Sequence, residues 1–307
     1  MKVASARAAV SDLLEQKTIK PGDTLLDSSS GIYAYALALA CHRYGLRCHI
    51  VGSTTIDPAL RTQLAILGAH LEQMPPSNDL KLDQKRRVAR IHEILHEHPT
   101  YHWMRQYHDA VHYLGYRAIA RAIENETDTT NLTLVGGVGS GASTGALATY
   151  LRQHSPGVEL LGVQPFGSIT FGSEHVNDPD IIIAGIGSSI PFGNVDHTLY
   201  DSIHWVGFEP ALAGTISLLR DHAIFAGLST GASYLSARWH HQHTPDRTVL
   251  FIAADTGHRY ADSVFARHQH ATDIDTFAPH TISTLSDLAL PWSRMRWNRA
   301  PTPLAGT

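Results

Sequence analysis

Apolar residues recur along this chain in two alternating rhythms, one with the period of a helix and one in short continuous runs. The first predicts helices over residues 4–16, Tyr33–Tyr44, Pro58–Gly68, Asp79–His98, Ser143–His154, Pro210–Asp221 and Ala232–His240. The second predicts strands at Thr24–Leu26, Arg47–Val51, His70–Met74, Asn131–Val135, Val158–Val163 and Thr248–Ala253, with a turn at Lys20-Pro21-Gly22-Asp23. Asp79–His98 is the most polar of the helices; Leu80, Val88, Ile91 and Leu95 mark its expected buried side. Strands separated by helices of this length predict an α/β fold with parallel sheets and right-handed crossovers.

Composition narrows the class. At 307 residues the chain is long enough for one large core or two adjoining ones, and 43% apolar with 17% charged residues is ordinary globular usage. A formal net charge of −4 supplies no basic field, so nucleic acid is not an expected partner. No apolar run approaches the roughly 20 residues that span a bilayer. The opening Met1–Arg7 has no apolar signal core, which predicts a cytoplasmic protein. Two cysteines, Cys41 and Cys48, are too few for a disulfide framework and read as buried, reduced thiols. The densest histidine group, His240-His241-Gln242-His243, has no Cys or carboxylate to complete a ligand set, so no metal site is expected.

The stretch richest in chemistry is Leu134-Val135-Gly136-Gly137-Val138-Gly139-Ser140-Gly141-Ala142-Ser143-Thr144-Gly145. An apolar strand runs into a turn of small residues and a helix opens at once. That arrangement aims backbone N–H groups at an anion without any charged side chain. Ser140 and Ser143 add hydroxyl donors. No Gly-Lys-Ser/Thr follows, which excludes a Walker loop, and the Gly-x-Gly-x-x-Gly spacing of dinucleotide folds is broken in both registers. A tight strand-to-helix turn without a ligand is the plain alternative.

Five segments in order resemble the cysteine synthase branch of the fold-type II pyridoxal-phosphate (PLP) enzymes, the cysteine synthase and cystathionine β-synthase-like family. The glycine turn resembles that family's phosphate cradle, and Gly162-Val163-Gln164-Pro165 its Gly/Ala-Val-Glu-Pro strand end. Ile183-Ala184-Gly185-Ile186-Gly187-Ser188 is similar to its Gln-Gly-Ile-Gly-Ala-Gly loop. Phe225-Ala226-Gly227-Leu228-Ser229-Thr230-Gly231-Ala232 resembles its Gly-Ile-Ser-Ser-Gly-Ala helix start, and Asp255-Thr256-Gly257-His258-Arg259-Tyr260 its closing element. Pro21-Gly22-Asp23 matches the family's Pro-Gly-Asp turn; counting back from it places the family's cofactor lysine at Lys2. The family normally carries a further segment before that lysine, supplying a strand and part of a dimer surface.

The resemblance implies a tryptophan synthase β-like fold, two open twisted α/β domains with PLP in the cleft between them. The smaller domain would be residues 1–110 and the larger 111–291, with 292–307 a tail on the surface or on a partner subunit; a homodimer is implied. Lys2 would hold PLP as a Schiff base and later move the α-proton of the substrate. Gly139, Ser140, Gly141, Ala142, Ser143 and Gly185 would bind the cofactor, and Asp255 would stand at its ring nitrogen, where other branches have serine. A strand-end or capping aspartate is the alternative for Asp255. The substrate-carboxylate loop corresponds to Ser29, Ser30, Gly31, Ile32 and Tyr33, with Gln106 resembling the glutamine that reaches the same carboxylate. Ile32 replaces the loop's usual asparagine. The implied reaction is β-replacement on an activated L-serine (O-acetyl- or O-phospho-L-serine) by a small sulfur or nitrogen nucleophile, via an aminoacrylate, in specialised amino-acid biosynthesis. Two alternatives stand beside it: β-elimination, and a catalytically degenerate homologue that acts as a binding partner.

Overall fold

The computed structural model describes residues 1–53, 56–75, 80–181 and 185–297. The chain divides into two compact units, Met1–Tyr116 and a second starting at Arg117. Among the described residues no helix is long and apolar enough to cross a membrane.

The first unit runs α1 (Lys2–Glu15), β1 (Thr24–Ser28), α2 (Ile32–Tyr44), β2 (Arg47–Gly52), α3 (Pro58–Ile66), β3 (His70–Gln73), α4 (Leu80–Glu97) and β4 (His102–Trp103). Its four strands are all parallel, in the order β3-β2-β1-β4. Every position of β1 is buried, as a central strand covered on both faces requires. On one face α1, α2 and α3 enclose Leu25, Leu37, Cys48, Ile50 and Leu60; on the other Ile91 and Ile94 of α4 cover Leu26 and Val51. Helix α2 is apolar around most of its circumference, so it sinks into this core and stops where Gly45 takes the left-handed φ of +67°. The turn before β1 closes with the Lys20 N–H donating to Asp23 at 2.9 Å. Cys41 and Cys48 are both buried free thiols.

Helix α4 departs from its expected face. Among the described side chains Asp83, Arg87, Ile91 and Ile94 are buried, whereas Val88 and Leu95 are half-buried; Asp79 and the side chain of Leu80 lie outside the described residues. The face turns because Arg87 donates to Ser28 Oγ at 2.8 Å and pairs with Asp83 at 3.7 Å, which periodicity of apolar residues alone does not register.

The second unit runs α5 (Arg117–Glu126), β5 (Leu132–Gly137), α6 (Ala142–Arg152), β6 (Glu159–Gln164), β7 (Ser202–Val206), α7 (Phe208–His222), α8 (Leu228–His243), β8 (Thr248–Phe251), β9 (His280–Thr281) and β10 (Trp292–Arg296). Its sheet has the order β8-β5-β6-β7-β10-β9. The first four strands are parallel, as expected, and at the edge β10 pairs with β7 antiparallel. The same strand takes in the first residues of the expected tail. Trp292 and Ser293 are fully buried, because Trp292 packs into the core formed with Val206, Phe208 and Leu212. The remainder of that stretch, 298–307, lies outside the described residues. The His240–His243 group sits at the end of α8, where His240 meets Thr133 Oγ1 at 3.2 Å and His243 the Trp239 carbonyl at 2.8 Å.

Candidate active site

In the first unit, strand β1 ends in a polar cluster. Asp27 is buried and accepts three hydrogen bonds: from the Ser28 N–H at 2.7 Å, the Gln106 N–H at 3.0 Å and the Trp103 indole at 3.2 Å. Burial nevertheless pushes its carboxyl up to about 7, against the pull of those donors and of Lys2. Gln106, also buried, donates through Nε2 to the Ser28 carbonyl at 2.8 Å. A residue expected from the sequence to lie near the Ser29–Tyr33 loop is thus tied directly to the residue before it.

That loop is the N-terminal turn of α2. Ser29 Oγ accepts from the N–H groups of Gly31 at 3.3 Å and Ala34 at 3.1 Å, capping the helix, and Ser30 Oγ accepts from the Ser53 N–H at 2.8 Å. Gly31 is the residue before the helix, Ile32 its half-buried first residue, and Tyr33 is buried. The Tyr33 hydroxyl finds no partner among the described residues, and burial raises its pKa well above the usual phenol value.

Lys2 opens α1, and its ammonium lies 5.9 Å from the centre of the Tyr33 ring. The residue is half-buried, yet withdrawal of its amine from water lowers the pKa from 10.5 to about 8, with Asp27 opposing the fall. Two contacts hold α1 in place. Ser5 Oγ donates to the His112 carbonyl at 2.8 Å, and Gly115 lies against the backbone of Ala4 so closely that a Cβ would strike the Ala4 carbonyl. His112 is buried edge-on to Tyr33, 5.5 Å between ring centres; burial lowers its pKa to about 4, and its Nε2 bonds the Met104 carbonyl at 2.8 Å. The neutral ring therefore carries its proton on Nε2, the nitrogen that faces an acceptor.

In the second unit the glycine turn links β5 to α6. Gly141 has φ +79°, which L side chains rarely adopt, and a Cβ there would approach the Asn194 carbonyl to 2.5 Å. A Cβ on Gly139 would strike the carbonyl of Gly185, so the Gly185 loop is packed onto the turn. Ile183 and Ala184 of that loop lie outside the described residues. Ser140 is buried, with its Oγ 3.5 Å from the Ala142 N–H, and Ser143 is half-buried in the first turn of α6. The Gln164 motif joins the same cluster: Val138 N–H donates to the Val163 carbonyl at 2.9 Å, Gly187 N–H to the Val138 carbonyl at 2.9 Å, and the Gln164 side-chain amide also reaches Val138.

Asp255 follows β8, half-buried, and its Oδ2 accepts the Tyr260 hydroxyl at 2.8 Å. Burial raises its pKa, while the Tyr260 hydroxyl, Arg259 and the Gly227 amide lower it. Gly227 belongs to the Phe225–Ala232 motif, which meets the Asp255–Tyr260 motif through the Gly257 N–H to the Phe225 carbonyl at 3.0 Å. The segments that matched a family motif by motif are thus gathered around the carboxyl ends of β5, β6 and β8 within this unit. Asp27, His112, Trp103 and Arg87 were not singled out from the sequence. Asp27 directly follows the apolar run Thr24–Leu26, and that charge at a strand end was the one signal the sequence offered for it.

A sequence profile described as pyridoxal-phosphate dependent enzyme matches residues 1–255. The chain is 30% identical over 272 residues to the N-(2-amino-2-carboxyethyl)-L-glutamate synthase of Ralstonia nicotianae, covering 86% of this chain and 78% of that one. It is 26% identical over 265 residues to cysteine synthase B of Campylobacter jejuni, covering 85% of each. The solved structure of O-acetyl serine sulfhydrylase isoform 3 from Entamoeba histolytica matches with a TM-score of 0.80 at 20% identity, over 91% of this chain and 84% of that one, a likeness of fold.

Proposed function

Since the chain belongs to the pyridoxal-phosphate dependent enzymes, we propose that it catalyses β-replacement on an activated L-serine, O-acetyl- or O-phospho-L-serine, with a small nitrogen or sulfur nucleophile. The observation that carries this reading is the placement of Lys2 at the start of α1, its amine 5.9 Å from the centre of the Tyr33 ring, in a chain whose relatives build N-(2-amino-2-carboxyethyl)-L-glutamate and cysteine. Both products carry a new bond to nitrogen or sulfur at the β-carbon of an alanyl unit.

The residues fit the cofactor. The Gly139–Gly141 turn leads into the opening of α6, where Gly141 caps the helix without any side-chain hydrogen bond, so the first backbone N–H groups of α6 suit a phosphate. When bound, the cofactor supplies the electron sink that stabilises negative charge at the amino acid's α-carbon. Lys2 is the residue that would hold it covalently, and its Nζ would be the base that takes the Cα proton of the substrate. An amine of pKa about 8 is poised for both roles near neutral pH. Gly139, Ser140, Gly141, Ala142 and Ser143 would hold the phosphate through N–H and hydroxyl groups, with the Gly185 loop packed onto the turn. Asp255, kept oriented by Tyr260, would hold the cofactor's ring nitrogen.

On the substrate side, Ser29, Ser30, Gly31, Ile32 and Tyr33 with Gln106 receive the carboxylate. Ser29 Oγ already accepts two backbone N–H groups, so what it offers a carboxylate is its own O–H. Ile32 brings an N–H and an apolar side chain but no amide, so the loop binds by backbone and hydroxyl donors. Homodimeric assembly and a cytoplasmic setting belong to the same reading; sedimentation of the purified protein tests the first.

The deciding experiment incubates PLP-loaded protein with O-acetyl- or O-phospho-L-serine, with sulfide or L-glutamate as nucleophile, and identifies products by mass spectrometry. A new amino acid joined at the β-carbon supports β-replacement. Pyruvate alone, or no change in the visible spectrum with either serine derivative, refutes it.

A further inference from the structure

Parallel pairing of β2 with β3 sets His49 directly opposite His70, and Val51 opposite Glu72. Alternation along the strands places His49, His70 and Glu72 on one face of the sheet, the face covered by α4. The two imidazoles meet edge-on, 4.4 Å between ring centres, and His49 Nε2 lies 3.6 Å from Glu72 Oε2. One ligand-capable atom from each of the three residues lies within 4.8 Å of the others. His49 is only 8% exposed, and its Nε2, buried and aimed at this cluster, has no hydrogen-bond partner among the described residues. The cluster opens onto a pocket of ≈ 470 Å³ that Arg47, Arg90, Glu97 and His98 also line.

We propose that His49, His70 and Glu72 form a binding site for a divalent transition-metal ion of the Zn²⁺ class, with the remaining coordination position facing the pocket. Two imidazole nitrogens and one carboxylate oxygen suit Zn²⁺ or Co²⁺, whereas Mg²⁺ and Ca²⁺ favour all-oxygen shells. Donors each about 2.1 Å from an ion stand no more than about 4.2 Å apart. Side-chain rotation of the exposed His70 and half-buried Glu72 brings the present spread into that range.

Arg90 does not block the site. Its Nε takes Glu72 Oε1 at 2.6 Å, while Oε2, the oxygen facing His49, receives only the longer 3.3 Å bond. The guanidinium therefore orients the carboxylate from behind, as outer-shell donors do for metal-bound carboxylates. Arg90 also meets Glu93 at 3.0 Å and Glu97 at 3.3 Å, so three carboxylates surround one guanidinium here. With Glu72, Glu93 and Glu97 around Arg90, negative charge exceeds that guanidinium's positive charge at the site, which favours a cation, although Arg47 lies at the rim.

The test uses metal-stripped, PLP-loaded protein titrated with ZnCl₂ by calorimetry, and with CoCl₂ while the visible bands of tetrahedral Co²⁺ are followed. One site per chain is expected. His70→Gln and Glu72→Gln, both on accessible side chains, should each weaken it at least about tenfold with unchanged circular dichroism. His241→Gln, at the end of α8, should leave it unaltered. At a Zn²⁺ concentration near the wild-type Kd, Zn²⁺ should raise the Tm of the wild type clearly more than that of His70→Gln. Wild-type protein that binds Zn²⁺ no more tightly than His70→Gln, or Co²⁺ bands that survive both substitutions, would overturn the assignment.

Discussion

Asp27 and Gln106 are joined through the backbone: the Gln106 N–H donates to Asp27 Oδ2 at 3.0 Å, and the Gln106 side chain donates to the carbonyl of Ser28, the next residue along. The end of β1 and the segment after β4 are thereby locked to each other, and the carboxylate that locks them is also the one whose charge acts on Lys2. A residue with no assigned place in the expected chemistry thus opposes the fall that burial imposes on the Lys2 amine.

Asp27→Asn separates these roles. The folded-state pKa of about 7 lies above the ordinary 3.8, so the carboxyl's contribution to stability is fully present below about pH 4 and is lost as pH rises through about 7. At about 1.4 kcal/mol per pH unit the span amounts to about 4 kcal/mol. Urea unfolding of wild type and variant from pH 4 to pH 8 should show the wild type losing stability relative to Asn across that window. A constant difference would mean that Asp27 is not held protonated by burial.

Lys2 should react with PLP as an amine of pKa about 8 rather than 10.5. Stopped-flow absorbance of cofactor attachment to the apo-protein should rise about tenfold per pH unit and level off near pH 8. In Asp27→Asn the plateau should begin at lower pH, because the charge that favours the ammonium is gone. Lys2→Ala should abolish borohydride-fixable cofactor and lower turnover by about 10²–10⁴-fold. Label retained in that variant would place the covalent attachment on another residue.

Gly115→Ala tests how α1 is seated. The new methyl would strike the Ala4 carbonyl and lie 2.6 Å from the Ser5 nitrogen, so the helix must shift. Overpacking of this kind costs about 1–3 kcal/mol. The urea midpoint should fall accordingly, and turnover should fall with it because α1 carries Lys2. Unchanged stability would show that the 3₁₀ segment Ala110–Tyr116 yields instead.

Asp255→Ala should reduce turnover about 10–100-fold, the value of a hydrogen bond to a charged partner, with little change in Tm because the residue is half-buried. Tyr260→Phe, which removes the 2.8 Å donor to Oδ2, should have the same direction and a smaller size. Equal activity in wild type and Asp255→Ala would reduce Asp255 to a strand-end residue.

Much of this protein is written locally. The alternation of helix and strand, the buried α2, the turn at Pro21-Gly22-Asp23 and the glycine turn before α6 depend on residues close in sequence, whose backbone preferences and periodicity act over a few positions. The family resemblance has the same basis, since short motifs at strand ends keep their order even when identity falls to 30%. The tertiary structure alone decided what distant residues share. It turned α4 onto Asp83 and Arg87, set β10 antiparallel beside β7, and brought Gln106 to Asp27 across the sheet of the first unit. It also set His49 opposite His70, although strand register has no signature in either strand by itself. Burial then moved Lys2 and Asp27 away from their ordinary pKa values, because desolvation depends on everything packed around a group and not on its neighbours in the chain.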